Sequence, residues 1–243
     1  MRIFLAGASG VVGRRLAPLL VGAGHQVTGT TRSAEKAELI ARAGAAAVVV
    51  DVFDADALAR AVAAARPDAV IHQLTDLPDV YDRDQMAAVG ERNSRIRIEG
   101  TRNLVAAACA AGVRRTVAQS IAFIYAPGPE PHAETDPLVS DRDGEGAATA
   151  RGVLALERAV TATPGLVGIV LRYGRFYGPG AWRAEPGGRG CLHVDAAAHA
   201  ALLAVTRGVT GLYNIAEDDG EVSIAKARRE LGFDPAVRLL AAA

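Results

Sequence analysis

The chain has 243 residues, with 27 basic and 27 acidic side chains and no formal net charge at pH 7. That balance offers no footing for nucleic acid or an anionic membrane surface, and no apolar run reaches the roughly 18 residues of a membrane span. Cys109 and Cys191, its two cysteines, are too few for a disulfide framework and have no His/Cys cluster around them. Reduced thiols, no metal centre and a cytoplasmic location are therefore expected.

In chain order, Met1 to Ala6 form an apolar run that reads as a first strand rather than a signal peptide. It leads directly into Gly7-Ala8-Ser9-Gly10-Val11-Val12-Gly13. Glycines at this spacing between a strand and a helix let the backbone turn sharply and admit a pyrophosphate without a Cβ in the way. The following helix, about 14–23, offers that anion unpaired N–H groups and a positive dipole end. The alternative is a tight βα turn with no ligand. Residues 25–30 predict the second strand, and Ser33 caps a helix through 43. Residues 45–50 predict a third strand, an apolar β-branched run of the kind buried in parallel sheets.

Asp54 then caps a helix to about 65, and 69–72 begin a fourth strand. A long helical region spans 83–111, with Gly112 as its stop. Residues 113–119 predict strand five, and the Pro-, Gly- and Asp-rich stretch 127–146 predicts a loop. A helix over 148–161 leads into strand six at 166–171. This alternation predicts an α/β fold, a doubly wound parallel sheet of the Rossmann-like kind, with ligands at the carboxyl ends of its strands. Residues 1–173 would form the dinucleotide-binding core. Residues 174–243 would add a remaining core strand and helix, about 193–216, with further segments around them.

The end of the second strand bears on cofactor choice. An acid there would bind a ribose 2′-hydroxyl, as NAD requires. The chain has Thr30-Thr31-Arg32-Ser33 instead, and the Arg32 guanidinium can fork onto a 2′-phosphate. The expected cofactor is NADP(H); the plain alternative for Arg32 is a solvated charge at a helix start.

These residues resemble the short-chain dehydrogenase/reductase superfamily, in its extended, epimerase/dehydratase-like branch, over nearly the whole chain. Gly7 to Gly13 match its glycine motif, with Ser9, Gly10, Val11 and Val12 in the turn, and Asp51-Val52 match the pair that approaches the adenine. Val70-Ile71-His72-Gln73-Leu74-Thr75 is similar to the strand-four motif, whose Leu74 and Thr75 would line the cofactor. Glu99-Gly100-Thr101-Arg102-Asn103-Leu104 resembles the helix segment N-x-x-G-T-x-N-L. Leu171-Arg172-Tyr173-Gly174-Arg175-Phe176-Tyr177-Gly178-Pro179-Gly180 is similar to the element after strand six. Cys191-Leu192-His193-Val194-Asp195 and Gly211 to Ile215 resemble two later segments.

The resemblance also implies a Tyr-x-x-x-Lys pair on the helix after the long loop, and the chain has none. The aligned positions are Thr149 and Val153. The serine position is Ile121, with Ser120 beside it, and the helix asparagine position is Arg97. Ser120, Tyr125 and Tyr173 are the candidates to take over proton transfer, with Tyr177, His132 and Asp136 in reserve. Each has a bland alternative: a packed tyrosine, a strand-end hydroxyl, a solvated loop imidazole. Glu157, Arg151 and Arg158 belong to helical faces and are expected to be solvated or paired.

The resemblance also implies a long C-terminal substrate cap; within 174–243 that cap would be small and truncated, because only 181–190 and 217–223 separate its landmarks. Trp182 and Phe176 would form what apolar wall remains. The expected function is that of an NADPH-dependent oxidoreductase with an atypical active site, acting on a small carbonyl-containing metabolite. A non-redox isomerase, lyase or cyclase on the same scaffold, and a catalytically silent NADP(H)-binding subunit, are the alternatives. The resemblance implies a homodimer through the 83–111 and 148–161 helices, whose Ala-rich faces permit close helix approach; ordinary docking to the sheet is the alternative reading of those faces.

Overall fold

The computed structural model describes residues 1–78, 80–142, 144 and 146–239. The chain runs β1 (Arg2–Ala6), α1 (Gly13–Gly22), β2 (Gln26–Thr31), α2 (Ala34–Arg42), β3 (Ala46–Val49), α3 (Ala55–Ala65) and β4 (Ala69–His72). It continues with α4 (Met86–Arg95), a π-helical turn (Ile96–Gly100), α5 (Thr101–Ala110), β5 (Arg115–Ile121), α6 (Ala147–Thr161) and β6 (Val167–Tyr173). Then come β7 (Arg175–Tyr177), β8 (Cys191–His193), α7 (Val194–Ala204), β9 (Gly211–Ile215) and α8 (Ala225–Leu231). Seven strands form one sheet in the order β3-β2-β1-β4-β5-β6-β9, every pair parallel. The order reverses between β1 and β4, which opens a crevice at their carboxyl ends.

Side chains along β1 divide by period two between the two faces. Ile3 and Leu5 join Leu16 and Leu20 of α1 and the alanines of α7, while Phe4 and Ala6 join Leu58 and Val62 of α3 and Leu104 of α5. Both faces of the sheet are thereby covered. Helix α7 is largely alanine and buried along most of its length, so it lies close against α1. The 2.6 Å contact from Arg15 Nε to Asp195 Oδ1 fixes that approach.

Three features differ from the expectations. Strand β3 is largely exposed, Val49 to 53%, because it is the edge of the sheet and packs on one side only. The predicted 83–111 helix is broken by a 3₁₀ turn at Arg83–Gln85 and widened by the π-turn at Ile96–Gly100, where Gly100 lies against Val52. Strands β7 and β8 make a separate two-stranded ribbon that sequence periodicity did not reveal, whereas β9 joins the main sheet beside β6 as the expected last core strand. The 127–146 loop, apart from residues 143 and 145, which lie outside the described residues, is held by single bridges from Tyr125 to Leu138 and from His132 to Val222. No helix among the described residues is long and apolar enough to cross a membrane.

His72, at the end of β4, is buried, with Nδ1 accepting from the Leu74 amide at 3.2 Å. Its proton therefore sits on Nε2, which donates to Thr101 Oγ1 at 3.0 Å. Burial, and then the Arg97 charge, hold this imidazole at about 4, well below its ordinary 6.5. The unfolded chain thus binds a proton below pH 6.5 that the folded chain refuses until about pH 4. Stability contributed by the neutral ring is complete above 6.5 and is lost as pH falls toward 4, on the order of 3 kcal/mol at the limit. Urea unfolding between pH 7.5 and 5 should show a steeper loss for the native chain than for His72→Gln; equal slopes would refute this assignment.

Candidate active site

The glycine turn is built by backbone contact. Gly7 has φ +85°, and a Cβ there would lie 2.6 Å from the Gln73 carbonyl oxygen; a Cβ on Gly13 would sink into the Gly7 carbonyl. These two glycines let β1, β4 and α1 close up. Gly10 meets only the Gly7 oxygen, at 3.4 Å, so its open side faces the crevice. The turn is tied to β2 by Gly7 N–H donating to Thr30 Oγ1 at 3.3 Å and by the Ser9 and Thr31 hydroxyls at 3.0 Å.

Helices α2 and α3 are capped by Ser33 and Asp54. Helix α1 has no side-chain cap and no acid in its first turn, and the amides of Val11, Val12 and Gly13 meet no acceptor among the described residues. That end of α1 suits a pyrophosphate. Gly180, in the segment after β7, lies over Val11 and Arg14. From the same segment Trp182 donates its indole N–H to the Pro78 carbonyl at 2.8 Å and meets the Tyr81 ring edge-on at 5.3 Å. Trp182 thus reaches across to the loop after β4, whereas Phe176 packs on Tyr173 in the core.

The remaining cofactor candidates follow neighbouring strands. Arg32 at the end of β2 donates through Nη2 to Asp76 Oδ1 at 2.7 Å, and Arg92 Nε reaches Oδ2 of the same carboxylate at 2.8 Å. The hydrogen bond from Arg32 leads the causes that hold the Asp76 carboxyl below its usual range. Asp51 is exposed and accepts from the Phe53 amide, while Val52 is buried, its carbonyl accepting from Asn103 at 3.0 Å. Leu74 and Thr75 are half-buried after β4. The sheet order therefore places the glycine turn, Arg32, Asp51–Val52 and Leu74–Thr75 along one rim. Open amides and a glycine cradle fit a dinucleotide there.

Beyond β5 and β6 the side chains form a closed network. Glu157 of α6 accepts from Ser120 Oγ at 2.9 Å and from Arg172 Nε at 2.8 Å through Oε1, and from Arg172 Nη2 at 2.7 Å through Oε2. Arg172 Nη1 continues to the Tyr125 hydroxyl at 2.8 Å, and that hydroxyl donates to Asn214 Oδ1 at 2.7 Å. The His132 ring stacks on Tyr125 at 5.0 Å and its Nδ1 lies 3.2 Å from Asp136. Burial raises the Tyr125 pKa above its ordinary value, partly opposed by Arg172. The structure corrects the reading of Tyr173. It is 1% exposed, receives Gln73 Nε2 at 3.3 Å and donates to the Ala197 carbonyl at 3.2 Å. Tyr173 is therefore a core residue facing α7, and no substrate oxygen can reach its hydroxyl. Tyr177 likewise donates, to Glu217.

At the two α6 positions where the resemblance expects Tyr and Lys, Thr149 is half-buried and Val153 is wholly buried with Ile121, Ile124 and Ala150. A second cation of this region, besides Arg172, is the half-buried Arg97 on the π-turn, whose charge reaches both His72 and Glu157. In sequence, Arg97 stands at the position of the resemblance's helix asparagine, and a charged residue in place of that amide is the one local signal of its role. Asp76, Asn214 and the Glu157–Arg172 pairing were also missed, since no local pattern links residues so far apart. A cleft of about 200 Å³ adjoins the network, lined by Phe123, Tyr125, Pro127, His132 and Arg175 among others.

A protein described as 3-diazoavenalumate denitrifying reductase, from a Streptomyces species, is 42% identical over 240 residues, covering 90% of this chain and 77% of that protein. Solved structures are similar in fold. UDP-glucose 4-epimerase of Thermotoga maritima, solved with UDP-glucose, aligns with TM-score 0.78 at 20% identity over 98% of this chain and 94% of its own. UDP-glucose 4-epimerase of Thermus thermophilus, in complex with NAD, aligns with TM-score 0.72 at 22% identity over 98% and 86%. The profile of the NAD dependent epimerase/dehydratase family matches residues 3–194; the chain belongs to that family, as an enzyme built to hold a nicotinamide dinucleotide.

Proposed function

We propose that the protein is an NADPH-dependent reductase whose acceptor takes up a hydride without needing a proton from the enzyme. The observation that carries this reading is the pair Thr149 and Val153 where the resemblance expects Tyr and Lys. A threonine alcohol is a far weaker acid than a phenol, and a buried valine supplies no charge to lower its pKa. Ser120 and Tyr125 are already engaged by Glu157, Arg172 and Asn214. Reduction of a carbonyl, the acceptor expected from sequence, develops an oxyanion that must be protonated.

Reductive loss of dinitrogen from an aryl diazonium cation does not, because the hydride alone balances its positive charge. The bound cofactor would supply the hydride. Its electron pair forms the new C–H bond, the C–N pair leaves with dinitrogen, and no oxyanion forms. The 42%-identical relative is described as a denitrifying reductase of a diazo compound, which supports an acceptor that reacts in its aryl diazonium form here. The chain's own part is to hold the acceptor against the nicotinamide at the carboxyl ends of β4 and β5, and to shield it from water. An assay of NADPH oxidation with 3-diazo-4-hydroxycinnamate should give one dinitrogen per NADPH. Turnover of simple aldehydes or ketones with no reaction of the diazo acid would reverse the assignment, and turnover without cofactor would favour a non-redox enzyme.

NADPH is preferred in this reading because Arg32 leaves donors free beside Asp76 and no carboxylate stands at the end of β2. A charge-assisted contact to a 2′-phosphate contributes about 1.5–3 kcal/mol. Arg32→Ala should therefore weaken NADPH about tenfold or more and leave NADH within twofold; an unchanged ratio would remove the argument for NADP(H). We also infer a homodimer through the 83–111 and 148–161 helices, supported by Ile98 and Leu154, which are 44% and 40% exposed. A single-chain mass in sedimentation velocity would exclude it.

A further inference from the structure

We propose that Arg97 is the receptor for a carboxylate on the substrate, so that the site selects small organic acids. Arg97 lies on the π-turn Ile96–Gly100, a wide turn of the kind that often marks functional sites. The turn packs against α6, and the wall it forms is tight: Ser94 Oγ donates to the Ala148 carbonyl at 2.7 Å, and a Cβ on Gly152 would lie 2.9 Å from Ser94. The Arg97 side chain therefore has a fixed base.

Its charge is uncompensated. Burial is the main influence on the guanidinium and lowers its pKa to about 10, with Glu157 opposing from a distance. Among the described residues Arg97 makes no hydrogen bond or ion pair. The carboxylate that faces it, Glu157, has both oxygens taken by Arg172 and one also by Ser120. The imidazole that faces it, His72, is neutral, with its one proton directed to Thr101. Arg97, Arg172 and Glu157 together therefore leave one positive charge, with Arg97's donors open.

Arg97 is half-buried and has no protein partner among the described residues, and a planar carboxylate matches the fork of its open donors. The pyrophosphate end of the crevice lies at α1, beyond β1 and β4 in the sheet order, so the cofactor's phosphates have other donors. The anion that remains is the substrate's. The 42%-identical relative acts on a compound that is itself named as an anion, 3-diazoavenalumate. This inference rests on the reductase reading only in taking the ligand to be the substrate.

Equilibrium binding of cinnamate and of neutral cinnamamide, each to the NADP⁺-saturated protein, tests it without turnover. The native chain should bind the acid about tenfold or more tighter than the amide. Arg97→Gln should abolish that preference, Arg97→Lys should keep part of it, and NADP⁺ affinity should stay within twofold in both. Equal binding of acid and amide by the native chain, a comparison that requires no variant to fold, would overturn the proposal. So would an Arg97→Gln protein that keeps the preference, or one that loses NADP⁺ tenfold while the preference stays. A protein that binds the acid selectively yet transfers no hydride would sink the reductase reading and leave the receptor standing.

Discussion

The buried pair of Glu157 and Arg172 is the constraint on which the functional end of this molecule depends. Taking two charges out of water is costly, and the pair is tolerable only when its remaining donors and acceptors are satisfied. Here they are. The carboxylate takes three hydrogen bonds, and the free arm of the guanidinium reaches Tyr125 and the Glu134 carbonyl. That requirement ties α6 to β6, fixes the end of β5 through Ser120, and pins the long loop through Glu134. Asn214 of β9 completes the set, accepting from Tyr125 and donating to the His132 carbonyl. Residues from five parts of the chain are thus positioned by one ion pair.

The same economy explains why the region is poor in free proton donors. Hydroxyls that complete a buried network cannot also serve a substrate without exposing the charges they satisfy. Val153 goes further, extending an apolar cluster to the place where a lysine is expected from the resemblance. Positive charge has not vanished from the region; it stands on Arg97, on the facing helix. A cation on the π-turn instead of α6 fits the proposed recognition of an anion better than activation of a phenol. Hydride chemistry without acid catalysis and selection of an organic acid are consistent with each other on this ground.

The cofactor end is governed by close backbone approach. Gly7 and Gly13 are needed because carbonyl oxygens occupy the space a Cβ would fill, and the uncapped start of α1 leaves its amides turned to the crevice. The segment after β7 lies over this end, since Gly180 overlies α1 and Trp182 docks on the Pro78 carbonyl.

Much of this was legible in the sequence. The glycine turn, Ser33 and Asp54 as caps, and the alternation of strands and helices are local signals, because a cap bonds three residues ahead and a parallel strand must be apolar. The Arg32 substitution and the missing Tyr-Lys pair could be read position by position. Tertiary structure decided what depends on contacts between distant residues. It placed β3 at an edge, where its apolar run is exposed, and put β9 beside β6. It enclosed Tyr173 between Gln73 and Ala197, and it left Arg97 without the carboxylate that Arg172 had already taken. Local pattern reports which residues can be buried or charged; only packing determines which charge finds a partner and which stays open to a ligand.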